Sequence, residues 1–216
     1  MKLDTSTVWS VVHAERARLV SDLRGLPRDA WSTPSLCGEW TVHDVLAHLI
    51  DTAKTSRIVF IRRMVLCRFD FDGDNAVGVA RAKCDDPEVT LDAMQAAITL
   101  TLTPPAARAS RLVEAFVHGE DIRRPLGVPS DYPPEAVAAA LAYQAKTAVA
   151  MQGGRERVDG LRLVATDTGT AIGDGVEVRG RAIDLLIAAS GRRVATSAFD
   201  GSGASRLLAA KGPAPA

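Results

Sequence analysis

Residues 111–127 read RLVEAFVHGEDIRRPLG, and the fold turns on this stretch. It suits a helix from about Ala107 to Arg124, stopped by Pro125, which lacks a backbone donor, and by Gly127, which accepts a left-handed cap. Leu112, Val113, Ala115, Phe116, Val117 and Ile122 make the helix apolar over most of its circumference. Such a helix belongs inside a bundle. One polar stripe interrupts it. At 3.6 residues per turn, Glu114, His118 and Asp121 stand at i, i+4 and i+7, within about 60° of one another. An imidazole and carboxylates among apolar neighbours are costly to desolvate unless they pair or bind a cation.

A glutamate and a histidine one turn apart can offer an oxygen and a nitrogen to one ion, about 2.0 to 2.2 Å from each for zinc. A third ligand must come from another helix. The stretch GEWTVHDVLAHLIDTA, residues 38–53, supplies one: Thr41 and Asp44 resemble a capping box, and Val42, Val45, Leu46, Leu49 and Ile50 form an apolar stripe. His48 lies mid-helix at the margin of that stripe. His43 sits in the first turn, about 140° away around the axis, where exposure is expected. His48, Glu114 and His118 would leave one coordination position open for water or substrate. Asp121 would then stand behind His118 or an arginine such as Arg124. The plainer reading of the same residues is a buried histidine bonded to a glutamate, with Asp121, Arg123 and Arg124 as a solvated helix end. Spacing alone leaves both readings open.

Working outward, residues 6–25 read as an amphipathic helix carrying Val8, Val12, Leu19 and Leu23, and the pattern starting at Thr41 runs on to about Arg68. DFDGDN, residues 70–75, reads as a loop; it lacks the downstream acidic ligand of a calcium site. Pro87 opens a third long helix, reaching Leu102, and Pro133-Pro134 opens an alanine-rich one reaching Met151. Beyond Gly153-Gly154 the period becomes alternating, with strands expected at 161–166, 176–179 and 194–198 and helices at 182–190 and 202–210. The expected architecture is mainly α with a small α+β unit: an up-and-down four-helix bundle over 1–152, then a C-terminal α+β domain over 153–216 whose tail, KGPAPA, is disordered. Proteolysis is expected near Gly153-Gly154.

Of the 216 residues, 47% are hydrophobic and 24% charged, enough to build a core. Twenty-six basic residues balance 26 acidic ones, so no global field favours nucleic acid. No window has the 18 to 20 uninterrupted apolar residues that a membrane span needs, and the charged N-terminus is unlike a signal peptide, which makes the cytoplasm the expected compartment. Cys37, Cys67 and Cys84 form no CxxC pair and are expected to be reduced. Cys37 lies just before a helix carrying two histidines, which makes it a minor candidate nucleophile, although Leu36, Gly38 and Glu39 supply no cation to activate it.

GEWTVHDVLAHLIDTA (38–53), RLVEAFVHGEDIRRPLG (111–127) and GLRLVATDTGTAIGDGVEVRGRAIDLLIAASGRR (160–193) resemble, in order, segments of the mycothiol-dependent maleylpyruvate isomerase family. That resemblance implies a DinB-like bundle with a sterol-carrier-like C-terminal domain. It also implies a divalent metal, usually zinc, held by His48, Glu114 and His118, and mycothiol as thiol cofactor. The implied chemistry is an isomerase in which a thiolate adds to an activated double bond, permits rotation and leaves, or an S-transferase sharing the first step. The implied partners are a small electrophilic substrate and a low-molecular-weight thiol, without nucleic acid or membrane, on a monomer or homodimer. None of Arg179, Arg181, Arg192 and Arg193 aligns with a carboxylate-binding arginine of the isomerase. A non-catalytic metal-binding or small-molecule-binding protein of the same fold is the alternative.

Overall fold

A computed structural model describes residues 3–210; the tail expected to be disordered, 211–216, lies outside the described residues. The chain is mainly helical with a small three-stranded sheet and divides into two compact units, one spanning Thr5–Ser130 and the other beginning at Asp131.

In the first unit four helices form the bundle: α1 (Thr5–Leu23), α2 (Val42–Lys54), α5 (Pro87–Ala97) and α6 (Ala109–Leu126). Both α1 and α2 pack on α5 and α6. Leu19, Leu23, Leu46, Ile50, Met94 and Ile122 lie in one continuous core, each under 4% exposed, so the apolar stripes face one another. The start of α2 is a capping box. The Thr41 hydroxyl accepts from Asp44 N–H at 3.3 Å, and the Asp44 carboxylate accepts from Thr41 N–H at 2.9 Å.

The long helix expected from Thr41 to Arg68 is interrupted. Thr55 donates its hydroxyl to the Asp51 carbonyl at 2.7 Å, and the Ser56 hydroxyl caps a new helix, α3 (Arg57–Leu66), by accepting from Val59 N–H. Ile58, Ile61, Val65 and Leu66 are exposed, so the periodicity that continued through them did not signal burial. The DFDGDN segment is likewise no loop: Asp70 caps α4 (Phe71–Ala82) by accepting from Gly73 N–H at 3.0 Å. Asp74, further along, serves an ion pair. Arg63 donates to Asp74 at 2.6 Å and to Asp51 at 2.8 Å, and Arg81 also bonds Asp51, which fastens α3 and α4 to α2.

In the second unit α7 (Pro134–Gln144) packs on α8 (Ala182–Ala189). This corrects the expected boundary at 152/153: the alanine-rich helix buries Val137, Ala138 and Leu141 within the C-terminal unit, and the division falls at Ser130/Asp131. Strand β1 (Leu161–Ala165) pairs antiparallel with β2 (Ala171–Ile172) and parallel with β3 (Val176–Gly180), in the order β2-β1-β3. The strand expected at 194–198 is instead a short 3-10 turn at Thr196–Ala198, followed by α9 (Ala204–Ala209).

The main tie from α6 to α1 is a buried ion pair. Arg123, 1% exposed, donates to Glu15 at 2.5 Å and to Asp22 at 2.7 Å. Burial raises the Glu15 pKa, and the Arg123 charge and hydrogen bond offset only part of the rise. Removing Arg123 leaves the buried Glu15 with only the longer, half-exposed pair to Arg18 at 3.6 Å, so Arg123→Met should lower stability by about 3 kcal/mol in urea denaturation. Gly153 and Gly154 are buried, and their N–H groups bond the Ala148 and Gln144 carbonyls, whereas Gly127, Pro129 and Asp131 are exposed. Limited proteolysis should therefore cut first within 127–133, not at Gly153-Gly154.

Candidate metal centre

The segment before α2 is a tight loop. Ser35 N–H donates to the Trp40 carbonyl at 2.9 Å, Trp40 N–H to the Cys37 carbonyl at 3.1 Å, and Val42 N–H to the Thr33 carbonyl at 2.9 Å. Gly38, with φ of +58°, makes the reversal. Leu36 N–H reaches across to the Asp121 carbonyl at 3.2 Å, tying this loop to α6. The loop thereby sets Cys37 beside α6 and Trp40 over α2, with the Trp40 and His48 rings 5.0 Å apart.

Helices α2 and α6 bring His48 and His118 together edge to face, with ring centroids 4.9 Å apart. His48 is 8% exposed, and the Asp121 side chain behind His118 is wholly buried. His118 donates from Nδ1 to Asp121 at 2.9 Å, the separation that helical spacing allows at i and i+3. Among the described residues, Cys37, His118 and Asp121 have donor atoms all within 4.8 Å of one another. Burial by itself would lower the His118 pKa. The hydrogen bonds to Asp121 and Cys37, together with the attraction between these groups and the ring, outweigh it and push the value up to about 9.

This geometry corrects two expectations. His43 is buried, not exposed, with Nε2 2.8 Å from the Thr90 hydroxyl, and burial lowers its pKa. Cys37 does have a cation partner, because the ring beside it is supplied by α6, remote in sequence. Arg124, expected with Asp121 behind the site, is ion-paired with Glu120 on its own helix. The expected trio is brought together only in part. Both Glu114 oxygens accept from Arg111, at 2.7 and 3.1 Å, and Arg111 is itself 6% exposed. Glu114 nonetheless faces the bundle interior, lining a small cavity with Arg16, Leu19, Leu49 and Met94. Sequence reading passed over Arg111; a buried arginine three residues before Glu114 was the available signal.

The donors suit a divalent cation. An imidazole anchored by a carboxylate at Nδ1 is the usual arrangement behind a metal-binding histidine, and a second imidazole and a thiol are zinc donors. In the second unit, Arg179 pairs with Glu177 at 3.3 Å, with both side chains more than 40% exposed, as for an ordinary surface pair.

Residues 12–107 match the family described as the mycothiol maleylpyruvate isomerase N-terminal domain. The fold is similar to the crystal structure of the mycothiol-dependent maleylpyruvate isomerase (TM-score 0.63) and to that of a histidine-to-alanine mutant of it (TM-score 0.64). Each is 16% identical, with 99% of this chain and 97% of the other covered. No curated protein sequence matches.

Gly38→Ala should cost about 1 to 2 kcal/mol, because a side chain in the left-handed region is strained. The measurement is the denaturation midpoint, followed by tryptophan fluorescence, to which Trp40 contributes together with Trp9 and Trp31. An unchanged midpoint would show that the loop does not depend on this conformation.

Proposed function

We propose, for a chain whose residues 12–107 match the mycothiol maleylpyruvate isomerase N-terminal domain, a metal-dependent, thiol-using isomerase or S-transferase acting on a small electrophile. The observation that carries this reading is the pairing of His48 and His118 across α2 and α6, with Asp121 anchoring His118 from behind. His48, Glu114 and His118 are the proposed ligands, and zinc is the proposed ion. Glu114 stands one turn before His118 on the same helix, and to ligate it would exchange its two bonds to Arg111 for the ion.

When bound, the ion supplies a positive charge that keeps a thiol deprotonated near neutral pH. The protein's own residues do the rest. Asp121 holds the Nδ1 proton of His118 and so directs the other ring nitrogen to the site. Arg111 stabilises the Glu114 carboxylate in its unligated position. Trp40, Leu49 and Met94 supply apolar walls near the donors, which limit competing water. The thiolate of mycothiol adds to the electrophilic carbon of the substrate. Addition leaves an enolate: in the isomerase case the former double bond, now single, rotates and re-forms as the same thiolate is expelled, and in the transferase case the enolate takes a proton from solvent and the neutral adduct is the product. The described residues include no helix long and apolar enough to cross a membrane. The three cysteines carry no disulfide, and we place the protein in the reducing cytoplasm.

Purified protein should carry close to one divalent ion per chain and consume maleylpyruvate or another electrophile only when mycothiol is present. His118→Ala should lose the ion and the activity while its far-ultraviolet circular dichroism is unchanged, since the imidazole that Asp121 anchors for the ion is gone. Full occupancy in that variant would sink the ligand assignment. Metal content without any thiol-dependent turnover across a panel of electrophiles would favour the non-catalytic binding reading.

A further inference from the structure

Resting on the metal reading above, we propose that Cys37 is an internal thiol ligand, occupying the open coordination position until an exogenous thiol displaces it. Its sulfur belongs, with His118 and Asp121, to the group whose donor atoms lie within 4.8 Å of one another. The placement is built into the fold. Leu36 N–H is fastened to the Asp121 carbonyl, and Cys37 N–H donates to the Ser35 hydroxyl at 3.0 Å, so the residue is held from both sides against the helix that carries His118. Asp121 already accepts from His118 Nδ1 and stands behind the ring, which leaves the sulfur as the cluster's donor beside it. Neither of the other cysteines belongs to this group; the Cys67 thiol donates to the Met64 carbonyl on its own helix end at 3.6 Å.

A thiolate is a preferred zinc donor, and with two imidazoles and one carboxylate it completes a tetrahedral shell. Ligation releases the Cys37 proton to solvent as the ion is taken up. An incoming thiol then exchanges sulfur for sulfur, so the ion need not be left short of a ligand. The displaced Cys37 recovers a proton and returns to its hydrogen bond. Cys37 is thus a placeholder and not a nucleophile.

The test is absorption spectroscopy of the full-length chain loaded with cobalt(II) in the absence of added thiol. Wild type should show a sulfur-to-cobalt charge-transfer band in the near ultraviolet, and the Cys67→Ser/Cys84→Ser double variant should keep it. Cys37→Ser should lose the band yet retain stoichiometric cobalt and its visible bands, and 2-mercaptoethanol should restore a charge-transfer band. In wild type, alkylation of Cys37 with iodoacetamide, mapped by mass spectrometry, should slow at least tenfold on metal loading and recover on chelation. This second measurement needs no variant to fold. Stoichiometric cobalt in wild type with no sulfur band, or alkylation unaffected by metal, overturns the proposal while leaving the metal centre intact. Failure of wild type to bind cobalt at all removes the metal reading itself.

Discussion

The rotational setting of α6 is the constraint on which the rest depends, and the buried Arg123 guanidinium does much to enforce it. Arg123 lies about 140° around the helix from His118, and its bonds to Glu15 and Asp22 hold that side of α6 against α1. With that side engaged, the stripe of Glu114, His118 and Asp121 has to turn elsewhere. Ile122 on the same helix enters the apolar core, giving a second, non-directional restraint. An ion pair so far out of water is weak as a net source of stability, because desolvation costs about as much as attraction returns. Its value here is orientation.

Once α6 is set, α2 completes the site with little further machinery. The capping box at Thr41 and Asp44 fixes where α2 begins, and its apolar face locks against α5 and α6. His48 then meets His118 from the opposite helix. The loop from Thr33 to Thr41 is fastened both to itself and to α6, so the side chains it carries, Cys37 and Trp40, become part of the same cluster. Local sequence thus starts the helix, packing turns it, and the resulting juxtaposition collects donors that are remote along the chain.

The helical faces of 42–53 and 109–126 were legible because burial and periodicity agree there, and that was enough to nominate His48, His118 and Asp121. Where they disagree, reading failed. The apolar spacing through Ile58 and Ile61 continues across the Thr55-Ser56 break, yet those side chains face solvent, and only the hydroxyl caps mark the interruption. DFDGDN carries turn residues, but one of its aspartates caps a helix and another answers Arg63. The alanine-rich helix at 134–144 shows little sidedness, so nothing in its own residues said whether it belonged to the bundle or to the C-terminal unit. Cys37 was misjudged for a different reason. Its immediate neighbours contain no cation, and the ring that touches it lies 81 positions along the chain. Arg111, which holds Glu114, was missed through attention to the ligand stripe alone.

The central claim is that α2 and α6 jointly build one cation site, and anomalous diffraction from crystals grown with zinc tests it most directly. Data collected on either side of the zinc absorption edge should give a single strong anomalous peak in the first unit, between the rings of His48 and His118. Zinc found only at surface carboxylates, with those two rings still packed edge to face and no density between them, would contradict the account.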